Sequence, residues 1–241
     1  MVTCWDNQGR GGGQNLSLRQ SLQTLPRSLW VLSAGSFVNR FGTFVYPFLA
    51  LYLTRVGYSA AQAGVAITTY GVGSIASSAL GGVLADRVGP RTTIVVSMGA
   101  SAATMLALSQ AHGLMMLTLL AGLAGLTGDL YRPAGKALVA ALAPVPHRVA
   151  AYALSRFAVN LGVAAGPILA GVLANRAFGL LFLGDAMTSL AFGILALVAL
   201  PRGISCHATT ESSEAGRRGI LRDRAFLRLL IACTLVGFVY F

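Results

Sequence analysis

Long apolar runs alternate with short polar, arginine-bearing breaks along most of the chain. Seven runs stand out, at about 29–53, 61–85, 92–111, 114–137, 149–174, 179–200 and 226–241. All but the last have the roughly 20 residues that an α-helix needs to cross a hydrocarbon core about 30 Å thick. One such run could be a signal peptide, but a series of them cannot. The pattern predicts an all-α integral membrane protein. Ser59-Ala60-Ala61-Gln62 has the form of a capping box and predicts the start of the second span. Pro201 predicts the end of the sixth.

The same pattern divides the chain. Residues 1–28 are polar, with Gly11-Gly12-Gly13, and predict a disordered tail or an upstream extension from a wrongly chosen start codon. Residues 29–200 form a six-helix bundle. Residues 201–225 are rich in Ser, Thr, Glu and Arg and predict a cytoplasmic linker. The run 226–241 spans about 24 Å as a helix and ends at Phe241 without a polar flank. It predicts an incomplete seventh span, and hence a truncated reading frame or a fragment.

Composition sharpens this picture. Hydrophobic residues make up 55% and charged residues 10% of the 241, too few charges to cover a water-soluble globule. The net charge of +11 would suggest nucleic acid in a soluble chain. Here the arginines sit between apolar runs, so membrane topology explains them and no nucleic-acid partner is expected. With the N-terminus inside, the cytoplasmic segments hold Arg10, Arg19, Arg27, Arg87, Arg91, Arg148, Arg202, Arg217, Arg218, Arg222 and Arg224, and the outer loops only Arg55 and Arg176. That asymmetry predicts a cytoplasmic N-terminus in the cell membrane. Lys136 is the single lysine, which suggests a G+C-rich bacterial genome. Cys4, Cys206 and Cys233 are scattered without a ligand set, so no metal, disulfide or cofactor is expected.

An internal repeat lies beneath the spans. A shift of 89 residues lays 61–87 over 150–176, with Leu80-Gly81-Gly82-Val83-Leu84-Ala85-Asp86-Arg87 against Leu169-Ala170-Gly171-Val172-Leu173-Ala174-Asn175-Arg176. Gly73 falls on Gly162, and Arg40 falls on Asp129. The repeated spans are three apart and so cross the membrane in opposite directions. This is a 3+3 inverted repeat, an arrangement found in secondary transporters.

The loop after the second span reads Gly82-Val83-Leu84-Ala85-Asp86-Arg87-Val88-Gly89-Pro90-Arg91. It resembles the signature loop of the major facilitator superfamily, G-x-L-A-D-R-x-G-R-[RK]. The resemblance implies that Gly82, Asp86, Arg87, Gly89 and Arg91 form a conformational motif, with Asp86 locking against a helix of the second half. Asp86 stands at a helix C-terminus, where the dipole disfavours an anion, so a partner is expected. Pro90 stands where the family often has Arg, which leaves Arg91 as the only basic residue there and removes support for the family's Arg contact to the fourth helix. In the fifth span, Gly162, Gly166, Pro167 and Gly171 resemble the antiporter-associated pattern G-x3-G-P-x2-G-G of the same superfamily, with Ala153 and Ala170 replacing two of its glycines. Small residues there let backbones approach, and Gly166-Pro167 can kink the helix. The resemblance covers about 29–241 and implies the six-helix N-terminal half of a major facilitator fold plus the start of a seventh helix.

Charges inside spans are expensive and default to function. Arg40 lies about 16 Å into the first span, beside Asn39. Asp129, Arg132 and Lys136 share one helical face in the fourth span, and Arg156 and Asn160 share another in the fifth. Asp185 lies in the outer third of the sixth. The candidate substrate or coupling residues are therefore Asn39, Arg40, Asp129, Arg132, Arg156, Asn160 and Asp185. Lys136 and Arg156 also fit snorkelling toward the cytoplasm. An enzyme reading fails on distance. Gly99-Ala100-Ser101-Ala102 resembles a rhomboid-protease serine motif, but His112 lies about 16 Å along the axis from Ser101.

The expected function is secondary active transport of a small organic molecule, as proton-coupled efflux by alternating access. The expected partners are the lipid bilayer, a small-molecule substrate, protons and a missing C-terminal half-bundle. The alternatives are a non-transporting remnant or half-bundle, or an uptake facilitator of the same superfamily.

Overall fold

The computed structural model describes residues 22–201. The predicted linker and incomplete seventh span lie outside the described residues, as does the predicted tail up to residue 21. Residues 22–28, assigned to that tail from their polarity, are structured instead. Leu25 is buried in the core, and the helix that opens span 1 begins at Arg27. The sequence pattern missed this because Leu22 and Leu25 are isolated among polar residues.

Span 1 consists of α1 (Arg27–Phe41) and α2 (Val45–Arg55). Span 2 is α3 (Ala60–Val88) and span 3 is α4 (Pro90–Gln110). Span 4 consists of α5 (Leu114–Asp129) and α6 (Tyr131–Leu142). Span 5 is α7 (Arg148–Arg176) and span 6 is α8 (Gly179–Ala199). Among the described residues, five helical stretches, covering spans 2 to 6, are long and apolar enough to cross a membrane. The two pieces of span 1, of 15 and 11 residues, are each too short to cross alone. The capping box forms as expected: the Gln62 amide donates to Ser59 Oγ at 3.3 Å, and the Ser59 amide donates to Gln62 Oε1 at 2.9 Å.

A proline follows each interruption. Proline has no N–H to give to the carbonyl four residues before it. Pro47 therefore leaves Thr43 without its helical donor, and Pro133 does the same to Asp129. The chain breaks around Gly42-Thr43 in span 1 and at Leu130 in span 4.

The repeat extends across the whole bundle. Spans 2 and 5 are each 29 residues long, and spans 3 and 6 are each 21. A shift of 89 carries Pro90–Gln110 onto Gly179–Ala199 at both ends. Packing obeys the same exchange. Span 2 packs along span 4, span 5 packs along span 1, and span 3 packs against span 6. The repeat-related Gly73 and Gly162 sit at these crossings. A Cβ on Gly73 would collide with the Gly122 carbonyl, and one on Gly162 would stand 2.8 Å from the Phe37 carbonyl.

Among the described residues, a small apolar cluster of Phe44, Ala170, Ala174 and Leu181 and two larger ones fill the bundle. One of the larger two, toward the predicted cytoplasmic end, holds Leu29, Leu32, Ile94, Met98, Leu138 and Phe192. The other holds Leu49, Leu53, Ala66, Leu108, Leu117 and Phe182. Between them, by position along the spans, lies a belt of buried polar groups that includes Asn39, Ser97, Ser101, Thr127, Asp129, Asp185 and Ser189.

Candidate functional site

The break in span 1 begins just past Arg40, after Phe41, and the break in span 4 follows Asp129. Each charge therefore stands at the C-terminal end of a half-length helix, on matching positions of the repeat. Arg40 Nη2 donates to Asp129 Oδ1 at 2.7 Å. Both side chains are nearly buried, at 11% and 8% exposure. Ser74 Oγ of span 2 donates to Asp129 Oδ2 at 2.5 Å. Arg132, half-exposed on α6, places Nε 3.4 Å from Asp129 Oδ1. The Arg40 guanidinium also lies over the Tyr131 ring, 5.7 Å from its centre. Arg40 Nε is buried without a hydrogen-bond partner among the described residues. A charge pair desolvated this far is held by geometry and extra hydrogen bonds, and removing one member exposes the other to the full penalty.

Arg40 of the pair borders a cavity of about 480 Å³ between spans 1, 2, 4 and 5. Arg40, Arg132, Lys136 and Arg156 all line it, with hydroxyls from Ser36, Ser78 and Ser155. Arg156 and Lys136 are exposed. The break at Leu130 splits the face predicted for span 4: Asp129 is buried on α5, while Arg132 and Lys136 are exposed on α6.

The remaining candidates do not join the cavity. Asn39 points the other way, and its Nδ2 lies 3.4 Å from Ser189 Oγ and 3.3 Å from Met98 Sδ. Asn160 is exposed on span 5 outside the cavity lining. Asp185 is buried in span 6, against the backbone of Phe44 and Val45 and the Ser189 hydroxyl. Its Oδ2 has no hydrogen-bond partner among the described residues.

The loop motif has a clear backbone logic. Gly89 takes φ +86°, a left-handed value that suits glycine, and joins α3 to α4, which opens with Pro90. Gly82 faces open space. Asp86 and Arg87 are exposed and form no ion pair among the described residues. Arg91 does not reach the fourth span. Its Nε donates to the Ala196 carbonyl at 3.3 Å and its Nη2 to the Leu197 carbonyl, so it anchors the end of span 6. The Ala196 carbonyl also accepts from the Leu200 amide at 3.3 Å, whereas the residue four after Leu197 is Pro201, which has no N–H to give.

The span 5 motif packs inward. A Cβ at Gly166 would stand 2.6 Å from the Phe41 carbonyl, and Gly171 faces the Phe48 ring. Pro167 is exposed, and α7 runs through it without interruption. The smooth side of this helix meets span 1 of the same bundle.

Sequence reasoning missed Ser74 and Tyr131. Ser74, Ser77 and Ser78 recur at three and four residues within an apolar span, a polar stripe that marks an inward face. Tyr131 carries no such signal, because an aromatic beside a charge is common in a membrane helix.

Comparisons with known proteins agree with this architecture. The family model of the Major Facilitator Superfamily matches residues 32–241. An uncharacterised transporter of that type, YqjV of Bacillus subtilis, is 29% identical over 217 residues, 88% of this chain and 53% of its own length. A Na(+), Li(+), K(+)/H(+) antiporter of Planococcus maritimus is 30% identical over 86% of this chain and 53% of its own length. The multidrug resistance protein MdtH of Cronobacter sakazakii is 28% identical over 79% of this chain and 47% of its own. A crystal structure of a POT peptide transporter mutant in complex with sulfate superposes with a TM-score of 0.65 at 20% identity, covering 92% of this chain and 50% of that one. The chain spans about half the length of the curated relatives it matches. It is a multi-pass membrane protein and belongs to the Major Facilitator Superfamily.

Proposed function

We propose that this chain supplies the N-terminal half of a secondary active transporter that moves a small organic molecule across the cell membrane, with its N-terminus in the cytoplasm. The reading extends to proton-coupled efflux by alternating access. The observation that carries it is the cavity beside the Arg40–Asp129 pair, set where an inverted repeat places its two broken spans. Curated relatives named as a cation/proton antiporter and a multidrug resistance protein support it. The pair fixes the centre of the half, and the cavity takes the substrate. Asp129 is committed to Arg40, Arg132 and Ser74, so it acts as a structural anion. A coupling proton then falls to Asp185, with its unpartnered oxygen, or to a group of the other half.

The test uses everted vesicles from cells expressing the product of the whole reading frame at this locus. An acid-inside gradient is set up and followed with a ΔpH-sensitive dye. Ethidium and 1-naphthyl phosphate are added in separate runs. Recovery of dye fluorescence on adding one of them, absent in the Arg40→Ala variant, is the expected result. Flux of a probe without any effect of ΔpH would establish the facilitator alternative and overturn the proton-coupled reading.

A further inference from the structure

We infer that the cavity between spans 1, 2, 4 and 5 binds the carboxylate or phosphate head of an organic anion; this deepens the transport reading above and rests on it. Its volume of about 480 Å³ lies within the roughly 300–1,000 Å³ of small-molecule pockets. Four cations line it, and no carboxylate does. Asp129, the acid nearest to them, is already engaged by Arg40, Arg132 and Ser74. Lys136 and Arg156 pair with no carboxylate among the described residues.

This accumulation has a cost that packing does not repay. Arg132 and Lys136 stand four apart on α6, a like-charge spacing that destabilises a helix. Arg156 brings a third positive charge to the same wall from span 5. Snorkelling explains a single cation reaching for the membrane surface. It does not explain three from two spans around one cavity whose walls also carry Ser36, Ser78 and Ser155 hydroxyls. A bound anion offsets the mutual repulsion and receives charge-assisted hydrogen bonds from the Arg and Lys donors. Leu32, Val159 and the Tyr131 ring supply an apolar wall for the body of the ligand.

The same head group exists on soluble organic anions and on anionic lipids, and the experiment separates the two. The purified chain is placed in phosphatidylcholine nanodiscs, and binding of 1-naphthyl phosphate is compared with binding of uncharged 1-naphthol. A second titration uses dioctanoyl phosphatidic acid. The expected result is saturable binding of a phosphate probe, about tenfold or more tighter than naphthol. The Lys136→Gln/Arg156→Gln double variant should lose about tenfold or more of that affinity, while Lys136→Arg keeps it. Thermal unfolding of the double variant should match or exceed the parent, since both side chains are exposed, pair with no carboxylate among the described residues, and repel their neighbours. Preference for naphthyl phosphate assigns a soluble anion, and preference for phosphatidic acid assigns a lipid head group. Equal affinity for naphthol and both phosphates, or an unchanged affinity in the double variant, overturns the proposal. Because binding is read at equilibrium, its failure is distinct from failure of the transport reading. A transporter of organic cations would collapse ΔpH with ethidium yet bind no naphthyl phosphate here.

Discussion

Asp129→Asn tests whether the Arg40–Asp129 pair holds the two halves of the repeat together. With group centres about 4 Å apart and an effective dielectric near 20, the attraction is about 4 kcal/mol. Removing one member of a buried pair costs about 3–5 kcal/mol, since the other charge stays desolvated. Asparagine retains a hydrogen-bond acceptor for Arg40 and a partner for Ser74, and the Tyr131 ring contributes about 0.5–2 kcal/mol to Arg40 in either case. The loss expected for Asp129→Asn is therefore about 2–3 kcal/mol, with a similar loss for Arg40→Gln. The double variant has no stranded charge, so it should lose less than the sum, with a coupling energy of about 2 kcal/mol. Reversible unfolding in mixed micelles, followed by circular dichroism across the four proteins, measures this. Additivity within about 0.5 kcal/mol would show that the two charges are neighbours without being partners, and would refute the reasoning.

Other consequences are simpler to read. Gly162→Leu and Gly73→Leu force backbones apart at the two repeat-related crossings and should each lower stability by about 2–3 kcal/mol or more in the same micelle assay. Gly64→Ala, with nothing within reach of its Cβ, should be neutral or stabilise α3 by about 0.5–1 kcal/mol. In a cysteine-free background, Ala177→Cys should react with an impermeant maleimide added outside intact cells, and Ser212→Cys should not; the reverse result inverts the topology. Proteoliposomes carrying the chain alone should show inserted protein and no ΔpH-driven flux of 1-naphthyl phosphate, since alternating access in this architecture needs two halves.

The sequence disclosed much of this fold and less of its site. Span positions were legible because a water-soluble chain rarely carries repeated apolar runs of membrane length, and Ser59 and Gln62 marked a helix start by chemistry that is local. The 89-residue shift was legible in spans 2 and 5, where small residues repeat. It also set Arg40 on Asp129, although only distance could turn that correspondence into an ion pair. The interruptions in spans 1 and 4 were less legible. Pro47 and Pro133 announced lost hydrogen bonds, yet Pro167 did the same, and α7 continues through it. Whether a proline breaks a membrane helix depends on what packs beside it. The destination of Arg91 was likewise illegible, because the carbonyls at the end of span 6 lie more than 100 residues away in the chain. Asn39 and Arg40 are sequence neighbours that face different sides of α1, and spacing alone could not assign which side held the cavity.

Two-sided access to the cavity tests the central claim most directly. Val159 lines the cavity from span 5. In the cysteine-free product of the whole reading frame, Val159→Cys is exposed to an impermeant maleimide, in right-side-out and in everted vesicles. An alternating-access transporter predicts reaction from both faces, in proportions that shift when 1-naphthyl phosphate or a ΔpH is applied. Reaction from one face alone, unchanged by either, would contradict the account.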